Sequence, residues 1–397
     1  MELDVREILT QIDDGIRYRA KYRENAGVYW KLYYSKHWPL DTPKEASKPV
    51  LNYCKAAAET RLAHLTASRP RLVCLPRTPD DADLARVRTA VFDYWNETIP
   101  LSSRWSQAQK EAIVTGTGIL FIGGVYDRLP EIKVIEPHRF VVQPGASNLE
   151  DADWVAQIDV MTRNAAKRYF AKVKDTQAQE AIDQAPTLPA QDAYTFADAF
   201  ITSNPTITSF MITKADLSGS FLHEPVGSIG QTHTQEEILV VHYWHRDGED
   251  LWLHRIVGEK VVSSEKNPFG ATLSAKELPY VLFHLYPDTK TVWPNGLLAD
   301  ISSMQSYINL REQALLDILR LTGNPIFLIP TDSGIKERNV TARPGMCLRY
   351  IYPFRPEWLT PNLNTVASLF STQQGDIARI NDITGQVDVL RGVLPPG

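Results

Sequence analysis

Apolar residues recur every three to four positions over the first part of the chain. Val5, Ile8, Leu9, Ile12 and Ile16 fall on one helical face, the spacing of a helix that buries a single stripe. Basic and aromatic residues mix from Arg17 to Trp38, including Tyr18, Tyr22, Tyr29, Trp30, Tyr33 and Tyr34. That mixture suits base stacking. It equally suits an amphipathic helix with rings packed inward and basic stems lying over them, which is the preferred reading. Pro49 opens a second helix with Leu51, Cys54, Ala58, Leu62 and Leu65 on one face, and Pro70 stops it. RLVCLP, residues 71–76, reads as a strand. A third helix follows a start signal of Thr78, Pro79, Asp80 and Asp81, with Leu84, Val87, Val91 and Trp95 as its stripe. A fourth runs from about Ser103 to Thr115.

The period then changes to two. GILFIGGVYD, EIKVIEP, RFVVQP and DWVAQIDVM read as short strands, and Thr162 caps a helix over RNAAKRYFAKV. Residues 174–235 are rich in Gln, Ala, Asp, Thr, Ser and Pro with weak periodicity, the pattern of a surface insertion or a loosely structured excursion. Strand patterns resume at 236–246, 251–258, 259–264 and 278–286. From Leu297 to Thr322 a helix of about 26 residues, about 39 Å long, carries Ile301, Met304, Ile308, Leu315 and Leu319 on one face. A Pro-rich, strand-like unit follows. A last helix spans about Asn364 to Thr384 with Val366, Leu369, Phe370, Ile377, Ile380 and Ile383. The expected fold class is α+β.

One stretch imitates a nucleotide site. In GTGILFIGGV, Gly118 and Gly123 are spaced like the outer glycines of a phosphate loop. That loop needs lysine and a hydroxyl next, where this chain has Gly124 and Val125. The residues between the glycines are Ile119, Leu120, Phe121 and Ile122, a strand interior. A dinucleotide fingerprint needs glycine where Phe121 stands. The stretch therefore reads as a junction: Gly116 as a left-handed helix cap, Gly118 onward as a buried strand, and Gly123-Gly124 as a bulge or strand end.

Composition narrows the chemistry. The formal net charge is −5, unlike proteins that grip DNA by neutralising phosphates. Cys54, Cys74 and Cys347 are far apart and show no zinc spacing, so neither a disulfide scaffold nor a structural zinc site is expected. No apolar run reaches membrane-spanning length and the N-terminus has no signal-peptide pattern, so a cytosolic, non-membrane protein is expected. His242, His245 and His254, with Asp247 nearby, form the one group with metal-ligand chemistry. On a strand, however, His242 and His245 point to opposite faces. A polar sheet face is preferred, and a metal-dependent enzyme using these three is the alternative. No nucleophile elbow or acid/base constellation is present, so no catalytic residue, metal or cofactor is expected.

The order of parts, with particular residues at each, resembles the portal proteins of tailed bacteriophages. Asn52-Tyr53 and Arg69-Pro70 bracket the second helix, and Gly116 and Gly118 sit between helix and strand. Pro137, Phe140, Pro144 and Ala146 fit the family's P-x-R-F-x-x-x-P-x-A stretch, followed by Glu150, Asp151 and Asp153. Tyr243-Trp244 and Arg246 resemble its aromatic strand, with His242 where the family often has Glu. Pro279-Tyr280-Val281 precedes the long helix bearing Gln305 and Asn309, and Pro344-Gly345 lies in the small unit. Ile383, Gly385, Gly392, Leu394 and Pro395 match the approach to a tunnel loop.

The resemblance implies a homo-oligomeric ring, commonly a dodecamer, at the capsid vertex of a virion assembled from protein made in the host cytoplasm. Residues 1–296 would form a wing, helical over 1–116 and mixed β over 117–296, with the insertion at about 174–235. Residues 297–322 and 364–385 would be stem helices, 323–363 a clip, and 386–397 the start of a tunnel loop. In the family a Ser-Gly-x-Ala-Ile helix and a further wing segment normally follow the Pro-Gly at which this chain stops, so a continuation is expected. Implied partners are the terminase large subunit, the major capsid protein, a head–tail adaptor, and double-stranded DNA passing without sequence specificity. Gln386 and Arg391 are channel candidates, and Lys336, Arg338 and Arg343 are clip docking candidates. Another non-enzymatic virion ring or adaptor is the neighbouring alternative.

Overall fold

The computed structural model describes residues 4–39, 42, 47–67, 72–126, 129–172, 177–187, 193–195, 211–213, 237–269, 277–323, 326–333, 335, 351–353, 357–359 and 364–385. They have an α+β fold. Two compact units divide the chain: residues 1–34 with 58–300, and residues 35–57 with 301–397.

In the first unit, α1 (Val5–Tyr18) starts where the Asp4 carboxylate accepts the Arg6 N–H at 3.0 Å. Its stripe Ile8, Leu9, Ile12 and Ile16 is buried, as the period required. α2 (Ala20–Tyr33) turns its rings inward. Tyr22 lies 5.0 Å from the Trp293 ring and donates to Thr115 Oγ1 at 3.0 Å, and Tyr29 and Tyr33 are buried. The packing reading therefore accounts for Tyr22, Tyr29 and Tyr33, while Tyr18 and Tyr34 are exposed. α3 (Tyr53–Thr66) starts later than Pro49, because Asn52 Oδ1 accepts the Lys55 N–H at 2.8 Å and so caps it. Cys54, Ala57, Ala58 and Leu62 are buried on it, while Leu51 and Leu65 stay exposed.

Two expectations fail next. Residues 72–76 are not a strand and pair with none among the described residues. α4 (Ala82–Thr98) forms behind the turn Pro79–Asp81, but its stripe Leu84, Val87 and Val91 is exposed, and Ala85 is its buried residue. A helical period states that a face needs cover; it does not say that the same chain supplies it. α5 (Leu101–Thr115) ends at Gly116, whose φ is +109°.

β1 (Thr117–Tyr126) and β2 (Leu129–Ile135) are antiparallel, with a register shift between Ile122 and Val125 that makes Gly123-Gly124 a bulge. β3 (Phe140–Val142) and β4 (Trp154–Thr162) follow. The Thr162 hydroxyl then accepts the Ala165 N–H at the start of α6 (Arg163–Lys172). The insertion departs from expectation at once. α7 (Gln177–Gln184) is a formed helix with Ala178, Ala181 and Ile182 buried, and Arg163 clamps its end by donating to the Ile182, Asp183 and Ala185 carbonyls. Beyond it, β5 (Ala193–Thr195) pairs with β6 (Met211–Thr213).

β7 (Glu237–Asp247), β8 (Asp250–Val257) and β9 (Lys260–Lys266) make a meander, and β10 (Tyr280–His284) returns to β1. The result is a five-stranded antiparallel sheet, β3-β4-β7-β8-β9, and a three-stranded one, β10-β1-β2. Alternation assigns the faces. Leu239, Val241, Tyr243, Ala156, Ile158 and Ile256 pack under α1. On the opposite face, Ile238, Val240 and Val257 pack under α6 and α7. Val155, Trp244 and Leu253 on that same face meet Ile119, Ile135 and Tyr280 of the three-stranded sheet.

The second unit contains most of α8 (Leu297–Gly323), the pair β11 (Ile326–Leu328) and β12 (Glu357–Leu359), and α9 (Asn364–Thr384). Both long helices match their expected spans. Their faces match in part: Ile301, Ile308, Leu315 and Ile380 are buried as expected, but Leu319, Phe370 and Ile383 are exposed. The buried row of α9 is Gln373, Asp376, Ile380 and Thr384, because its polar side meets polar partners on α8.

Candidate functional site

The three histidines separate as strand geometry requires. His242 lies on the face that carries α6, its ring 5.8 Å from that of Tyr169 and its Nε2 3.5 Å from the Asp159 carboxylate. Gln157 donates to Asp159 at 2.8 Å and accepts from the Tyr280 hydroxyl at 2.9 Å. Arg255, opposite His242 in register, donates to Ser263 and Glu265, each at 2.8 Å. Burial opposes the Asp159 charge, yet the His242 contact and the Arg139 charge outweigh it and hold the carboxyl below its ordinary range. His242 thus belongs to a buried polar row across the sheet, where each charge has a partner.

His245 and His254 lie together on the other face. Their rings stack at 4.9 Å between centroids, and His254 Nε2 is 3.1 Å from His245 Nδ1. Ser264 Oγ is 2.9 Å from His254 Nδ1. Trp252 and Tyr243 extend the stack, and Gln11, Asp153, Arg246 and Asp247 complete a cleft of about 480 Å³. Serine, histidine and a second histidine repeat the contacts of a nucleophile, a base and an orienting group. The electrostatics oppose that chemistry. Burial, then the neighbouring His245, pushes His254 down to about 4, and burial also lowers His245. A base for serine needs a stabilised imidazolium, which a triad carboxylate provides and a second imidazole does not. Among the described residues, no three His, Cys, Asp or Glu side chains come together as a metal-binding group.

A second cleft, about 360 Å³, is lined by Gln107, Glu111, Val134, Ile135, Glu136, Arg139 and Asp159. Burial, then the Glu136 charge, raises Glu111 to about 8, so this carboxyl is largely neutral at pH 7. Glu136 ion-pairs with Arg139 at 3.1 Å and lies 3.1 Å from His138 Nε2, an imidazole that burial holds below its ordinary range. Arg19 reaches the same turn, donating to the Pro137 and His138 carbonyls at 2.6 and 2.5 Å. Their partners tie these charges into the Pro137–Arg139 turn.

The glycine stretch does backbone work. A Cβ on Gly116 would lie 1.9 Å from the Pro294 carbonyl oxygen, and one on Gly118 would lie 1.9 Å from the Ala108 carbonyl oxygen. Ile119 and Leu120 are buried between them and the bulge. No phosphate cradle exists there.

The second unit is built on amides and charges. Gln305 Oε1 accepts the N–H groups of Tyr53 and Cys54 at 2.9 and 3.2 Å, and its amide donates to the Leu51 carbonyl at 2.7 Å and to Asn309 Oδ1 at 3.0 Å. Between the helices, Arg311 pairs with Asp376, which also holds Arg379 at 3.2 Å, and Gln373 donates to Glu312 at 2.8 Å. Sequence reasoning selected Gln305 and Asn309 without their role; the signal for it was two amides one helical turn apart amid an apolar stripe. Gln386, Arg391, Lys336, Arg338 and Arg343 lie outside the described residues, as does Cys347.

Among the described residues the geometry thus defines an α+β fold whose buried ionisable groups are tied into packing. The family model of the phage P22-like portal protein matches residues 9–392, and the chain belongs to that family. Portal proteins are structural components of the tailed-phage virion. No curated protein matches the chain. No helix among the described residues is long and apolar enough to cross a membrane.

Proposed function

We propose that this chain assembles into a ring at one capsid vertex, through which double-stranded DNA is packaged and later ejected. The family match over residues 9–392 is the observation that carries this reading. In it, residues 1–296 form the wing, 297–322 and 364–385 the stem, 323–363 the clip, and 386–397 enter the tunnel loop. The major capsid protein surrounds the wing, and the clip offers Lys336, Arg338 and Arg343 to the terminase large subunit and then to an adaptor. Gln386 and Arg391 face the channel. A net charge of −5 per protomer suits a passage that must not hold phosphates. The chain works without a cofactor, and a separate ATPase supplies the energy for movement.

Negative-stain microscopy of the purified chain tests this. Rings, commonly twelvefold, with a central hole at least as wide as a DNA duplex are expected. A monodisperse monomer at micromolar concentration would overturn it.

A further inference from the structure

The cleft at His245 and His254 holds more negative charge than its own residues answer. Asp153 and Asp247 line it, and the Glu7 charge reaches the Tyr243 hydroxyl inside it. Among the described residues none of these three carboxylates has a cation within ion-pair distance. The cations nearby are engaged elsewhere. Lys266, opposite Trp252 in register, pairs with Asp250 at 2.7 Å, and Arg246 donates to the Leu149, Glu150 and Ala152 carbonyls. Burial, then the Glu7 and Asp153 charges, pushes the Tyr243 hydroxyl above its ordinary range. A concave site with this excess attracts a cation.

The walls of the cleft are rings. Tyr243, His245 and His254 stack across β7 and β8, and Trp252 lies parallel to His254, within 7°. Burial holds both imidazoles below their ordinary range, so at pH 7 they add π faces and no charge. Trp252 is half-buried and so remains reachable. Carboxylates beside an indole suit a planar guanidinium, which stacks on the ring and forks its N–H groups to the oxygens, better than an ammonium. Trp154 adds a second requirement. It lines the same cleft, is 7% exposed, and its indole N–H has no acceptor among the described residues. The occupant that completes the site therefore brings an acceptor as well as a cation. A peptide segment carrying an arginine supplies both, whereas a metal ion or a small amine supplies charge alone.

We propose that this cleft takes the arginine side chain of a peptide segment belonging to a partner protein. The guanidinium lies on Trp252 between Asp153 and Asp247, and a carbonyl of the same segment accepts the Trp154 N–H. At about 480 Å³ the cleft is in the size range of ligand sites. Every residue invoked belongs to the first unit, so the inference does not depend on the ring reading above.

The test measures binding of three probes to the full-length chain by saturation-transfer NMR at about pH 7.5, where both imidazoles are neutral. The probes are acetyl-Gly-Arg-Gly-amide, the same peptide with citrulline in place of arginine, and ethylguanidine. The arginine peptide is expected to bind, and the other two at least about tenfold more weakly, since citrulline lacks the charge and ethylguanidine lacks the carbonyls. Asp153→Asn/Asp247→Asn should weaken the arginine peptide about tenfold, and Trp252→Ala about threefold, with unchanged circular dichroism. No binding of the arginine peptide, equal binding of the citrulline peptide, or equal binding by the folded double variant overturns the proposal. Equal binding of ethylguanidine also overturns it, because the occupant is then a small cation and not a polypeptide. The comparison of probes on the wild-type chain needs no variant to fold. Light scattering covers the remaining occupant: the double variant is expected to keep the wild-type oligomeric state, and its dissociation would assign the cleft to a neighbouring copy and overturn the assignment to a partner protein.

Discussion

Trp244 and Asp376 are each 1% exposed, yet the regions around them are held by opposite means. Trp244 sits among Phe140, Val155, Leu253 and Phe269, between two sheets, where the stabilisation comes from apolar area and close packing. Asp376 sits on α9 facing Arg311, with Gln373 and Glu312 one turn away. In the sheets alignment is set by side-chain alternation, since a one-residue slip would turn every apolar side chain to the other face. In the helix pair it is set by a buried carboxylate, because leaving it without its guanidinium is costly. The sheet body gains its stability from area, and the helix pair gains its alignment from charge.

The largest expected effect breaks the apolar side. Trp244→Ala should lower stability by about 3–5 kcal/mol, with faster hydrogen exchange in β4, β7 and β8. A loss under about 1 kcal/mol would mean that the sheets collapse onto the cavity and that packing there is not specific. No single companion substitution should restore it.

The polar side behaves differently. Asp376→Ala should cost about 3 kcal/mol by leaving Arg311 without its carboxylate, read as faster exchange confined to α8 and α9. The double change Arg311→Met/Asp376→Leu should recover most of that stability, because the uncompensated charge goes with its partner. If the double variant is stable but its helices exchange register, seen as altered cross-link positions, the register role is supported directly. A double variant no better than the single one would show that the seam acts through packing.

The pH dependence sharpens the contrast within the first unit, where two groups act in opposite directions. His254 is lowered to about 4 in the folded chain. The unfolded chain therefore binds more protons between that value and the ordinary histidine value near 6.5, and the contribution is full above about 6.5 and is lost as pH falls toward 4. Glu111 is raised to about 8. The folded chain holds the extra proton, so its contribution is full below the ordinary carboxylate value near 4.3 and is lost as pH rises through 8. Denaturation midpoints at pH 5, 6.5 and 8 should show His254→Phe flattening the acid limb and Glu111→Gln the alkaline limb. Equal slopes in both variants and the wild type would remove these two groups as the cause.

The parts legible in sequence were those where one chain decides the outcome. The α1 stripe, the Gly116 cap, the alternation separating His242 from His245, and the spans of α8 and α9 follow from local period and backbone sterics. The exposed face of α4 and the polar row of α9 did not follow, because period shows amphipathicity and not which surface answers it. Helix α7 was missed since eight residues of Gln, Ala and Glu give little contrast, and its burial depends on Ile238 and Val262 far along the chain. The His245–His254 stack depends on the register of β7 with β8, which pairs Tyr243 with His254 and is fixed by the Asp247–Asp250 turn. Neighbour spacing along the chain carries no trace of that register.

The smallest effect checks that charge matters here only where it is buried. Lys266 and Asp250 pair at 2.7 Å on adjacent strands, but both side chains are substantially exposed. Water screens such a pair, and ordering a lysine offsets much of its attraction, so Lys266→Ala should change stability by less than about 1 kcal/mol. The same ion-pair chemistry at Arg311–Asp376 is expected to be worth several times more, and the difference is solvent. Raising the salt to about 1 M, where the screening length is about 3 Å, should erase what remains of the Lys266 effect and leave the Asp376→Ala penalty nearly unchanged. Equal salt sensitivity at both sites would mean that water reaches Asp376, and the register argument for the helix pair would fall with it.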